Sequence, residues 1–66
     1  MATAKIVEVI AEGSSVENAI ENGVKDVTKT VNSVQSVWVD NIQAVIRDQK
    51  ITAYRVNLKI TFIVNN

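Results

Sequence analysis

The clearest pattern in the chain is a strict alternation near its C-terminal end. Tyr54, Val56, Leu58, Ile60, Phe62 and Val64 fall on one side of a period of two, and Ala53, Arg55, Asn57, Lys59 and Thr61 on the other. That is a strand over 51–64, with the first set facing a core. Residues 34–47 are also strand-like, but their phase changes midway. Val37 and Val39 occupy odd positions, whereas Ile42, Ala44 and Ile46 occupy even ones. A regular strand cannot turn both sets to one face. A bulge near Asp40-Asn41 resolves the conflict and bends the strand, and burial of both faces, one by a helix and one by another chain, is the complementary solution. The polar stretch Asp48-Gln49-Lys50 between the two patterns predicts a hairpin.

Upstream, AKIVEVIA at 4–11 reads as a strand with Val7 and Val9 on one face and Ile6 and Ile10 on the other. Apolar residues on both sides suit a strand covered on both. Gly13-Ser14-Ser15 ends it. Ser14 with Glu17 three residues later has the form of a capping box. Val16, Ala19, Ile20, Val24, Val27 and Val31 then follow the spacing of one helical face. Glu17 and Glu21 lie early in this helix and Lys25 and Lys29 late, which complements the macrodipole. Gly23 costs about 1 kcal/mol against alanine unless it permits a close approach to the sheet. The helix is expected to run about 17 residues, roughly 25 Å, and to end near Asn32-Ser33. The fold class is therefore α+β: β-α-β-β, one helix packed on a three-stranded antiparallel curved sheet, in a single domain over 1–66.

Strands of about 14 residues exceed the usual length, and one helix leaves much of such a sheet bare. A domain of 66 residues also buries only about 60 % of its unfolded surface. It needs a disulfide, a metal or a partner for comfortable stability. Cysteine and histidine are both absent, which removes disulfides, thiolate or imidazole zinc sites and every Ser-His or Cys-His catalytic pair. Assembly with copies of itself is the remaining route. Seven basic residues balance seven acidic ones, so no global field directs the chain to nucleic acid or an anionic membrane. Neither a signal-peptide pattern nor a membrane-spanning run is present, and a cytoplasmic location is the expectation.

No Ser-x-x-Lys, calcium-loop spacing or carboxylate cluster points to catalysis, and an enzyme is not expected. The face away from the helix is more informative. Ser36 and Trp38 lie two apart and share that face, and Arg55 is opposite the Tyr54 core side. An indole beside a planar donor suits a flat heterocyclic ligand. Trp38 serves equally as an interface anchor, with Arg55 paired to Asp40 or to a carboxylate of another subunit.

The segments KIVEVIAEGSSVENAI, a helix ending in KTV, VWVDNIQAVI and YRVNLKITF resemble the dodecin family in order, length and spacing. The resemblance implies a strand-helix-strand-strand fold, a spherical homododecamer and a non-enzymatic protein that sequesters riboflavin or FMN. In that family, paired isoalloxazine rings lie between tryptophans near three-fold channels, and a glutamine on the last strand holds the pyrimidine edge. Matched without a gap, the family's tryptophan falls on Ser36 and its glutamine on Arg55. Trp38 then sits two places further along, about 7 Å away on the same face. Members with a Tyr-Arg pair here resemble those that assemble yet bind flavin poorly or bind something else, including a calcium-associated subset. The resemblance thus implies a flavin-storing shell with Ser36, Trp38 and Arg55 as its ligand residues. The alternative is a shell without flavin that holds an anion or a divalent cation, or is purely structural.

Overall fold

Alternation and turn chemistry produce three long strands and one helix in a computed structural model that describes residues 3–64; residues 1, 2, 65 and 66 of the expected domain lie outside the described residues. The elements are β1 (Thr3–Gly13), α1 (Val16–Val27), β2 (Val34–Arg47) and β3 (Lys50–Val64). All pairings are antiparallel and the sheet order is β1-β3-β2. The strand that is last in sequence is therefore central, and β1 and β2 are the edges. Among the described residues, no helix is long and apolar enough to cross a membrane.

The helix begins one residue later than the Ser14–Glu17 pattern predicts. Ser15 is the cap, and its Oγ accepts from the Asn18 amide at 3.0 Å. Asn18 Oδ1 in turn accepts from the Ser14 amide at 2.9 Å. The cap is thus made by Ser15 with Asn18, not by Ser14 with Glu17, and the Asn18 side chain reaches one residue further back than in a capping box, to the Ser14 amide. The helix is also shorter than expected, at 12 residues. Thr28 Oγ1 donates back to the Lys25 carbonyl at 2.8 Å, and the Val27 carbonyl accepts from both Thr30 and Val31. β-branched residues crowd this stretch, and their hydroxyls compete for the helix's own acceptors. Val31 still packs on the core, so its helical spacing is satisfied by a turn instead of a longer helix.

The core is small: Ala11, Ala19, Val27, Val56, Leu58 and Ile60 are buried. The helix rests on β1 and β3, with Val7, Val9, Val16, Ile20, Val24, Val31, Val34 and Val37 packed around the centre. Gly23 is the point of closest approach. A Cβ there would lie 2.6 Å from Leu58 Cδ1 and 2.9 Å from Ala11 Cβ. The close-approach reading of Gly23 holds, and the helix-propensity loss is the cost of a tight seat.

In β2 the register slips between Val39 and Asn41, as the phase change predicts. Asp40 is the extra residue. Val37 pairs with Ile60 and Val39 with Leu58 on one side of the bulge, and Ile42 pairs with Val56 and Ala44 with Tyr54 on the other. All four therefore face the helix side. Further slips occur between Val34 and Ser36 and between Val45 and Ile46. The hairpin turn is two residues, Asp48 and Gln49, with φ of 50° and 63°; Lys50 already belongs to β3. Positive φ at both positions is the geometry whose twist matches paired strands.

Two outcomes test this packing. Gly23→Ala should lower stability by about 1 kcal/mol or more, because overpacking a fixed contact outweighs the gain of about 1 kcal/mol in helix propensity; urea unfolding at fixed protein concentration measures it. Ser15→Ala should cost about 1 kcal/mol and Ser14→Ala distinctly less; equal losses would contradict the cap assignment.

Candidate ligand-binding site

Because side chains alternate, β3 sends Val56, Leu58 and Ile60 under the helix and Arg55, Asn57, Lys59 and Thr61 to the opposite face. The ladder then lines up rows of three across the sheet. Ile6, Thr61 and Ser36 form one row, and Glu8, Lys59 and Trp38 the next. Ile10, Asn57 and Asn41 form the third, followed by Glu12, Arg55 and Gln43. Trp38 lies with 62 % of its surface exposed on a face that the helix does not cover. Next to it an open groove of about 680 Å³ is lined by Glu8, Ile10, Asp40, Asn41, Asn57 and Lys59, with Val9 and Leu58 contributing to its floor.

Two ion pairs cross this face. Arg55 donates to Glu12 Oε1 through Nη2 at 3.0 Å and Nε at 3.3 Å. Lys59 Nζ lies 3.4 Å from Asp40 Oδ2, a contact made available because the bulge frees Asp40 from the ladder. The partner of Arg55 is thus Glu12 of its own chain, in place of the expected Asp40 or a carboxylate of another subunit. Glu8 sits directly across from Lys59 on β1. Carboxylates therefore outnumber cations at the centre of the groove.

Ser36 and Trp38 share one end of the face, as their spacing predicts. Arg55 does not join them within a chain: its row is four residues along β3 from that of Trp38, about 13 Å, and six from that of Ser36, about 20 Å. The groove instead gathers Asn41, Asn57, Lys59, Asp40 and Glu8, none of which stands out in the sequence as a ligand residue. The alternation of β3 does put Asn57 and Lys59 on this face. Joining them to Asp40, Asn41 and Glu8 requires the bulge register and the β1–β3 pairing. Among the described residues, no group of three or more carboxylate, histidine or cysteine side chains could hold a metal ion.

The sequence matches the family profile described as Dodecin over residues 3–65. The chain belongs to the dodecin family. Dodecins are binding proteins without enzymatic activity, typically take up flavins and are generally dodecameric. Solved structures share the fold. The dodecin from Streptomyces davaonensis superposes with a TM-score of 0.92 at 20 % identity, covering 98 % of this chain and 97 % of that one. A dodecin from Streptomyces coelicolor gives 0.92 at 23 %, covering 98 % and 94 %. A tryptophan-to-phenylalanine variant of the Thermus thermophilus dodecin gives 0.92 at 22 %, covering all of both chains. No curated protein matches the sequence.

Both ion pairs of this dodecin are half exposed, so their contribution to stability is small. Lys59→Met should change the unfolding free energy by less than about 1 kcal/mol. A loss several times larger in denaturant titration would show that Lys59 is a structural strut and not a groove residue.

Proposed function

We propose that this dodecin assembles as a homododecameric shell that binds and stores a flat small molecule, with a flavin, FMN or riboflavin, as the leading ligand. The observation that carries the reading is Trp38, an exposed indole beside the groove. Large exposed aromatic surface is expensive to leave in water and is well suited to stacking on a planar ring. Trp38 replaces the aromatic that the family resemblance places at Ser36, with Ser36 adjoining it on the same face.

Assembly is supported by the apolar surface that one chain leaves bare. On the helix side, Ile42 and Ile46 are 59 % and 56 % exposed, and Ile51 and Val39 join them along β2 and the hairpin end. On the other side Ile6 and Ile10 are exposed as well. Apolar surface of this extent on so small a domain marks contact with another chain. Copies of this chain are the occupants that the family relationship favours.

The alternative shell, holding an anion or a divalent cation such as calcium, has less support. An anion at Arg55 must displace the two-pronged contact with Glu12, and a divalent site needs carboxylates from more than one copy.

Light scattering of the purified protein should give twelve times the 7.2 kDa chain mass. Titration of FMN or riboflavin with ligand-stripped protein should quench flavin fluorescence at one flavin per chain, and Trp38→Ala should weaken binding by about tenfold. A Trp38→Ala protein that binds as tightly as its parent removes Trp38 from the mechanism.

A further inference from the structure

The charges and amides around the groove say more about the ligand than stacking alone. Asn41 and Asn57 are direct partners across β2 and β3, both line the groove, and both are exposed. Neither carboxamide is engaged in a side-chain hydrogen bond among the described residues. Each offers a donor and an acceptor in one plane. Asn57 lies two residues from Lys59, the cross-strand partner of Trp38, so it stands about 7 Å from the indole row on the same face. A ring stacked on Trp38 reaches that pair with its edge.

Among the described residues, the two cations nearest the groove are already engaged. Arg55 is held by Glu12 at 3.0 Å and Lys59 by Asp40 at 3.4 Å. Glu8, directly opposite Lys59, adds a second carboxylate next to the same ammonium. The centre of the groove therefore carries two carboxylates against one ammonium. A phosphate brought there meets net repulsion and finds its candidate partners already paired.

We infer that this groove selects an uncharged planar heterocycle with an amide or imide edge over the phosphorylated form of the same ring, with Asn41 and Asn57 reading the edge and Glu8 and Asp40 excluding the anion. The inference rests on the storage reading above and names the ligand class within it. The Asn41–Asn57 pair exists in this position because of the bulge, which advances β2 by one residue and sets Asn41 against Asn57.

The experiment is a pair of fluorescence titrations of the assembled, ligand-stripped protein, one with riboflavin and one with FMN, at low and at high salt. Riboflavin is expected to bind at least roughly fourfold tighter at low salt, with the gap closing as salt screens the carboxylates. Glu8→Gln should narrow the gap in the same way. Asn57→Leu should weaken riboflavin by about three- to tenfold through loss of the edge contact, with the assembly mass unchanged. Asn57→Thr, which suits a strand, makes the same test if the leucine variant fails to assemble. FMN binding as tightly as riboflavin overturns the charge selection while leaving flavin storage intact. Unchanged affinity in the Asn57 variants overturns the edge reading. Absence of binding by either flavin overturns this inference and the storage reading together.

Discussion

The length of α1 sets the terms for everything else in this chain. Twelve residues reach about 18 Å along a helix axis, whereas the molecule extends 51 Å in its longest direction. The helix is seated through Ala19, Gly23 and Val27 onto Ala11, Leu58 and their neighbours, over β1 and β3. Its tight seat buries a small core well and leaves the helix side of β2 bare beyond Val34 and Val37. The isoleucines exposed there do not signal poor folding. They are the part of the sheet that a helix of this length cannot reach, and the chain keeps them apolar.

The bulge at Asp40 connects packing to chemistry. On the helix side it keeps Val37, Val39, Ile42 and Ala44 on one face although their sequence phases disagree. On the other side it releases Asp40 toward Lys59 and brings Asn41 opposite Asn57. The same extra residue that repairs the hydrophobic pattern also builds the polar centre of the groove next to Trp38. Bulges re-aim side chains in this manner.

Much of this architecture was legible in the residues because it depends on local periodicity. The bounds of β2, the bulge and the hairpin follow from alternation and a short polar turn. The strand that ends at Gly13 and the helix that follows it were visible for the same reason. The cap is not legible to the residue because Ser14 and Ser15 both precede the helix, and only the geometry shows which hydroxyl faces the Asn18 amide. The helix end is hidden in the sequence because Val31 keeps helical spacing while the threonines before it take up turn hydrogen bonds. The site was partly legible. Trp38 and Ser36 share a face through their spacing, but the distance of Arg55 from them, and its capture by Glu12, depend on pairing between residues 43 positions apart. Periodicity carries no information about such a pairing.

The sheet order has a consequence for how the chain comes to be folded during its synthesis. Both edge strands pair only with β3, which is the last of the three to be made: Thr3 waits for Val64 and Val34 for Phe62. A growing chain can form α1 early, but it has no hydrogen-bonded sheet to lay it on until the hairpin has turned at Asp48. The nascent β1 and β2 therefore emerge with their isoleucines uncovered and no strand to zip onto, a state that invites association with neighbouring chains. For a chain that exposes apolar side chains on both faces of its sheet, the margin between productive folding and premature clumping is set by how quickly β3 arrives.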